Sequence, residues 1–258
     1  MYATERQSRI QAQLAETSRV SVVALARDFD VTTETIRRDL DQLERAGLLR
    51  RVHGGAVAPQ RSSTLEPTLL ERRGQHGVAK QRIARRAAAA LSPSFRGSVF
   101  FDAGTTTDAV ASEAAPSLGP GVEVVTHALS LALTLSNAPA ATLSLIGGRV
   151  RGVTGAAVGS ETVRAIESLR PDVAFVGTNG ISAQFGCSTP DPDEAAVKRA
   201  IVRSARRVVV VADREKQDAE LLVGFASLSD IDVLVTDAAP GAALAAALHD
   251  ADVEVWVA

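Results

Sequence analysis

Apolar residues recur at helical spacing in three stretches near the start of the chain. Ile10 and Leu14 stand i, i+4 within residues 4–17. Val22, Leu25, Ala26 and Phe29 follow at i, i+3, i+4 and i+7, and Ile36, Leu40 and Leu43 form a third stripe. The spacing predicts three helices. Ser21 stands where the second needs a cap, and Asp30-Val31 makes a short turn. Thr32 caps the third, with Val31 and Ile36 placed for a hydrophobic staple, and Gly47 ends it. Two helices, a tight turn and a capped third helix make a helix-turn-helix. The following LLRRVHGGAV has two short apolar runs about a Gly-Gly turn, which predicts a β-wing with Arg50, Arg51 and His53 near its tip.

Residues 56–75 carry prolines, serines and mixed charge, a linker pattern that runs into a helix over 78–91. From Ser98 apolar runs alternate with helical stretches. Strands are predicted at 98–101, 122–125, 142–146, 172–176, 207–212, 231–235 and 253–257. Alternation of this kind implies a mainly parallel sheet covered by helices, that is, an α/β domain. The predicted organisation is a winged helix-turn-helix over 1–58, a linker over 59–76 and an α/β domain over 77–258.

Composition narrows the class. No apolar run reaches the roughly 18–20 residues of a membrane helix, and MYATERQSRI has no apolar signal core, so a cytoplasmic protein with no membrane partner is expected. The single cysteine, Cys187, excludes an internal disulfide and has no obvious base beside it. No metal or cofactor is expected. Residues 1–61 hold ten arginines against eight acids, net +2, within a chain of net charge −2. The small positive excess falls on the helix-turn-helix. Only Lys80, Lys198 and Lys216 among the 28 basic residues are lysines, and a lysine in an arginine-rich chain hints that a compact ammonium is wanted.

Candidate chemistry lies in two places. Thr32, Thr33 and Thr35 open the third helix, with Arg37 and Arg38 one turn on. The first turn of a recognition helix meets base edges in the major groove of double-stranded DNA, where an arginine can take a guanine in bidentate fashion. Wing cations and Ser21 suit the phosphate backbone. The alternative is a solvated basic face in which the arginines pair with Asp39 and Asp41, and His53 can equally be a packing residue. Arg72, Arg73, Arg82, Arg85 and Arg86 offer a second basic patch, better read as a solvated helix face.

In an open parallel sheet, ligands bind beyond the carboxyl ends of the strands. The first strand there ends in FFDAGTTTDAV: Asp102, a turn at Gly104, then Thr105, Thr106 and Thr107 opening a helix. Amides and hydroxyls so placed suit a phosphate, or else they merely cap the helix. The segment lacks the lysine ending of a nucleotide P-loop, so a sugar phosphate is expected rather than a nucleotide. Other strand ends supply Thr126 and His127, Gly148, Arg149 and Arg151, Asn179 and Gly180, and Asp213 and Lys216. STPDPDEAAVKRA starts a helix with Asp191 as cap and Pro192 at its first position. It places Glu194 and Lys198 on one face, either as a surface ion pair or facing a ligand.

VTTETIRRDL followed by RVHGGAV, with FDAGTTT, VGTNGI, the EAAVK helix and VVVADREK, resembles the DeoR family of bacterial repressors over roughly residues 5–237. The resemblance implies a sensor fold similar to ribose-5-phosphate isomerase, a homodimer or homotetramer, operator DNA as partner, and release by a phosphorylated sugar. GGRVRGVTGAAVG, GTNGIS and STPDPDEAAVKRA resemble the fructose-operon repressors of that family, which implies fructose 1-phosphate. His127 and Asp213-Arg214-Glu215-Lys216 depart from the usual family residues at those strand ends. Two other readings stay open from residues alone. One is a sugar-phosphate-responsive activator. The other is a sugar-phosphate isomerase or deaminase using Asp102, Glu194 and Lys198 for acid–base work.

Overall fold

The computed structural model describes residues 3–17, 19–46, 48–57, 63–64, 66–92, 94–136 and 141–258. The chain divides into two compact units, Met1–Ser62 and Ser63–Ala258.

The first unit runs α1 (Ala3–Thr17), β1 (Arg19–Ser21), α2 (Val22–Asp28), α3 (Thr33–Arg45), β2 (Arg50–Val52) and β3 (Gly55–Val57). Ile10 and Leu14, Leu25 and Ala26, and Ile36, Leu40 and Leu43 meet in one core, as their spacing predicts. Asp30 makes the turn before α3 with a left-handed φ of 53°. The Thr32 side chain then accepts the Thr35 amide at 3.2 Å, and Val31 packs on the core beside Ile36. A buried ion pair joins α1 to α3: Arg6 Nε donates to Asp39 Oδ2 at 2.5 Å and Nη2 to Oδ1 at 3.0 Å.

Two expectations are corrected here. The Ser21 side chain makes no capping bond to α2. Ser21 instead ends β1, which pairs with β3 to give a sheet of order β1-β3-β2. Arg50 and Arg51 do not sit at the wing tip. Arg50 faces Val57 at the open end of the hairpin, and the turn itself is His53-Gly54. The expected helix end at Gly47 lies outside the described residues. The Gly-Gly turn has two separate causes. Gly54 takes φ 80°, and a Cβ on Gly55 would stand 1.9 Å from the Val20 carbonyl oxygen.

The second unit runs α4 (Leu69–Gly74), α5 (Gly77–Ala88), β4 (Gly97–Phe101), α6 (Thr105–Ala114), β5 (Val122–Thr126), α7 (Leu129–Leu135), β6 (Thr142–Leu145), β7 (Arg149–Arg151), β8 (Ala156–Val158) and α8 (Ser160–Glu167). It continues through β9 (Val173–Gly177), β10 (Gly180–Ser182), β11 (Gly186–Thr189), α9 (Pro192–Ser204), β12 (Val208–Val211), β13 (Val223–Ala226), β14 (Val233–Thr236), α10 (Ala242–Asp250) and β15 (Glu254–Val257). The seven strands expected from the apolar runs form one parallel sheet, order β15-β14-β12-β9-β4-β5-β6. Alternate residues face opposite layers, as the pleat requires. Phe100, Val176 and Val210 pack with α8, α9 and α10. Phe101, Phe175 and Val211 pack with α5, α6 and α7, and the Phe101 and Phe175 rings stack at 5.3 Å.

The strand order has a reversal that matters for function. From β4 the chain moves outward through β5 and β6, then returns to β9 on the other side of β4 and moves outward through β12, β14 and β15. The crevice of an open α/β sheet opens at such a switch point, here between the ends of β4 and β9.

The expected linker, 59–76, is only partly a connection. Residues 58–62 and 65 lie outside the described residues, but 66–76 are built into the second unit. Thr68 and Glu71 form a capping box on α4, with the Thr68 amide donating to Glu71 Oε2 at 2.8 Å. Leu69 N then donates to Val153 O at 3.0 Å. The prolines read as linker, whereas Thr-Leu-Leu-Glu is a helix start.

Candidate functional site

On the first unit, α3 presents Arg37 and Arg38 outward, with side chains 54% and 78% exposed. Neither pairs with Asp39 or Asp41. Asp39 is taken by Arg6 and Asp41 by Arg51, and the two outward arginines each lie 3.7 Å from Glu34. Thr32 and Thr35 share a hydroxyl hydrogen bond of 2.9 Å at the cap, and Thr33 stands half-buried beside them. On the wing, Ser21, Arg50 and His53 are exposed. Arg51 is tied back to α3: its guanidinium meets Asp41 and its amide donates to Glu44 Oε1 at 2.8 Å. It is therefore a brace between wing and helix rather than a projecting cation.

On the second unit a pocket opens at the switch point. From the β4 end it is lined by Gly104, Thr105 and Thr106, and from the β9 end by Gly177, Thr178 and Asn179. Asp213 and Lys216 follow β12, Glu194 and Lys198 come from α9, and Thr154 from the β7–β8 turn. Gly104 is the N-cap of α6, with φ 153°, and the first amides of a helix have no intrahelical partner. They meet the positive end of the helix dipole at the pocket floor. All three lysines, Lys80, Lys198 and Lys216, line this one pocket.

Behind the floor lies a buried network. Lys198 Nζ donates to Asp102 Oδ2 at 2.5 Å and to Gly177 O at 3.0 Å. Asp102 also accepts the Gly177 amide at 2.9 Å and stands 3.1 Å from His127 Nε2. Burial pushes the Asp102 carboxyl up, but the Lys198 charge and then the His127 hydrogen bond outweigh it and hold it below the usual carboxylate range. Beside the pocket, Glu194 Oε1 accepts from Thr154 at 2.5 Å and from Arg151 at 3.1 Å. Arg151 also meets Glu66, and lies 3.1 Å from Asp191. Glu194 and Lys198 are thus neither a surface pair nor partners of each other. Asp191 caps α9 as expected, accepting the Glu194 amide at 2.9 Å, but the Glu194 carboxylate is spent on Arg151 and Thr154.

Several expected contacts fall outside the pocket. Thr107 is buried and its hydroxyl returns to Gly104 O at 2.8 Å. Thr126 donates to Phe101 O at 2.8 Å, and His127 Nδ1 donates to Ala157 O at 2.8 Å, so both brace strand ends. Gly148 and Gly180 are packing positions, where a Cβ would stand 2.0 Å from Thr162 Oγ1 and 2.3 Å from Ala219 O. Arg149 is exposed and paired with Asp193, and Arg151 is consumed by acids. Asp102 works through Lys198 rather than lining the cavity. The sequence reading missed Arg72, Gln75, His76, Thr154 and Thr178 as lining groups. It singled out Lys80 only by its rarity. Cys187 is buried and its thiol is pushed up to about 12, which leaves it inert as a nucleophile.

Among the described residues no helix is long and apolar enough to cross a membrane. The family profile described as DeoR-like helix-turn-helix domain matches residues 6–62, and that described as DeoR C terminal sensor domain matches 75–238. The HTH-type transcriptional regulator GlpR of Haloferax volcanii is 39% identical over 92% of this chain and 91% of its own. The uncharacterized HTH-type transcriptional regulator FruR of Bacillus subtilis is 34% identical over 92% of each chain. The glycerol-3-phosphate regulon repressor of Escherichia coli is 32% identical over 99% of each. Ribose 5-phosphate isomerase A of Methanocaldococcus jannaschii, a solved structure, aligns over 54% of this chain and 53% of its own, at 12% identity and TM-score 0.39. The chain belongs to the DeoR family of transcriptional regulators, a DNA-binding helix-turn-helix joined to a sensor domain.

Proposed function

We propose that the protein represses a sugar-utilisation operon and that a phosphorylated sugar, with fructose 1-phosphate the first candidate, binds at the switch point and releases it from DNA. One observation carries the reading: the N-terminus of α6 opens into a crevice that gathers the chain's three lysines. A phosphate dianion needs several donors and a cation, and the first-turn amides, the Thr105 and Thr106 hydroxyls and the ammonium groups supply both. Asn179 and Asp213 line the same cavity and suit the hydroxyls of a polyol. Arg37 and Arg38 are assigned to base edges, and Ser21, Arg50 and His53 to the DNA backbone. Action as a homodimer or homotetramer follows from the small interface of one winged helix, because paired modules on repeated half-sites raise the effective concentration.

The relatives include a FruR and a glycerol-3-phosphate regulon repressor, so glycerol 3-phosphate is the rival ligand. The test titrates labelled upstream DNA with protein, then adds fructose 1-phosphate, glycerol 3-phosphate, inorganic phosphate and fructose in parallel. Release by one phosphorylated compound at far lower concentration than by fructose supports the reading. Release by fructose and its phosphate alike, or by none of the four, defeats it.

A further inference from the structure

The stretch that follows the DNA-binding unit forms a wall of the pocket. Residues 58–65 separate Val57, the end of β3, from Glu66, which is buried in the second unit. Arg72, Gln75, His76 and Lys80 then line the cavity. The wall is fastened at several points. Glu66 pairs with Arg151, Leu69 N donates to Val153 O at 3.0 Å, and Arg73 donates to Asp108 at 2.9 Å on α6. Lys80 Nζ closes the end of α4 by donating to the carbonyls of Arg72 at 2.5 Å and Gln75 at 2.7 Å.

Within this fastened wall one pair of groups is poorly matched. Nε and Nη2 of Arg72 are buried without a hydrogen-bond partner, and so is Glu66 Oε1. Nη2 lies 3.8 Å from Glu66 Oε1, near enough to attract but too far for a hydrogen bond. A buried guanidinium N–H left without an acceptor is costly, and here the cost falls when the Arg72–Glu66 contact tightens. The guanidinium stands at the lining of a cavity that otherwise collects ammonium groups, so the acceptor that fits is an oxygen of an anionic, oxygen-rich small molecule.

We infer that Arg72 is an effector-binding residue, and that the effector, by meeting its guanidinium at the cavity lining and tightening its contact with Glu66, locks the 66–80 wall onto the sensor sheet. The inference rests on the reading of the pocket as a phosphorylated-polyol site and adds its route of regulation. The wall is the first part of the sensor reached from the DNA-binding unit along the chain. A ligand that favours the locked wall therefore biases the segment from which the reading unit is hung.

The test uses the full-length protein with fructose 1-phosphate and glycerol 3-phosphate as probes and inorganic phosphate as control. Calorimetry should show Arg72→Gln binding the active probe about ten- to a hundredfold more weakly, as loss of a charged hydrogen bond implies. Hydrogen exchange of the wild type should show the probe slowing residues 66–80 as well as 104–110. If Arg72→Gln binds like wild type, or protection appears at 104–110 without 66–80, the wall is not engaged and this inference falls while the phosphate site stands. If Arg72→Gln fails to fold, the wild-type exchange pattern decides alone. If no probe binds or protects either segment, the pocket reading fails and the inference with it.

Discussion

Lys198 Nζ lies 2.5 Å from Asp102 Oδ2, and both side chains are buried, so a full ion pair sits beneath the floor of the pocket. Such a pair is costly to form and more costly to break, because removing one member leaves the other uncompensated. Asp102→Asn or Lys198→Met should each lower the stability of the second unit by about 3–5 kcal/mol. The double variant should recover part of that loss. Urea denaturation of all three would show strictly additive losses if the pair were not coupled.

The same pair sets a pH dependence. Asp102 is held below the usual carboxylate range in the folded protein, so the unfolded chain binds the proton more readily. The stabilisation is therefore present above the ordinary aspartate range and drains as pH falls through it towards the lower folded value. The melting temperature of the second unit should fall on acidification below about pH 4, more steeply in the wild type than in the double variant. Parallel slopes would place the acid sensitivity elsewhere.

The two wing-proximal arginine groups should separate. Arg37→Ala or Arg38→Ala should cost about 1–3 kcal/mol at the operator with little effect on unrelated DNA, if that side chain reads a base. Arg51→Ala should instead loosen the wing, by about 0.2–1 kcal/mol for a half-exposed pair, because its guanidinium pairs with Asp41 on α3. Competition binding at two salt concentrations, with melting of each variant, distinguishes them.

What was legible in the sequence follows from period and length. The five inner parallel strands are buried and largely apolar, and the exposed edge strands β6 and β15 keep enough apolar residues to be read with them, so each was found within a residue or two. The five short strands β7, β8, β10, β11 and β13 have three or four residues each and no usable period, and they were missed. For the pocket, the strand-end rule located Gly104, Thr105, Thr106, Asn179 and Asp213. It could not distinguish a polar group facing the cavity from one bracing the strand behind it. Thr107 and His127 fall in the second class only because Gly104 O and Ala157 O lie within reach. Arg72 was hidden for another reason: nothing local in ERRG says that α4 packs beside α6 and the β7–β8 turn far along the chain.

Gly55 offers a test of the wing that does not involve DNA. A Cβ there would stand 1.9 Å from the Val20 carbonyl oxygen, a backbone atom that cannot swing aside. Gly55→Ala should push β1 off β3 and cost about 1–3 kcal/mol in the first unit, as overpacking does. Melting monitored in each unit separately should show the loss in residues 3–57 and leave the second unit unchanged. An unshifted first transition would mean that the sheet order β1-β3-β2 does not hold in solution.

The three threonines that open α6 should differ sharply, because their hydroxyls do different things. Thr105 and Thr106 line the pocket, whereas Thr107 is buried and donates to Gly104 O at 2.8 Å. Thr107→Val should therefore disturb the turn that presents the helix amides, lowering stability by about 1 kcal/mol, the usual net worth of such a bond. Thr106→Ala and Thr105→Ala should leave the ligand-free melting temperature near wild type. Their loss should appear only with ligand present. At a hundredfold excess over its dissociation constant, the effector should stabilise the wild type by about 2.7 kcal/mol, and the unphosphorylated sugar by far less. In the two pocket variants that increment should shrink, and operator DNA should be held at effector concentrations that release the wild type, giving a repressor that cannot be induced. Linkage supplies an independent check. Operator DNA must weaken effector binding by the same factor by which effector weakens operator binding. If Thr105→Ala and Thr106→Ala release DNA normally while a sugar phosphate still stabilises the protein, the sensor stands but its phosphate lies away from the α6 N-terminus.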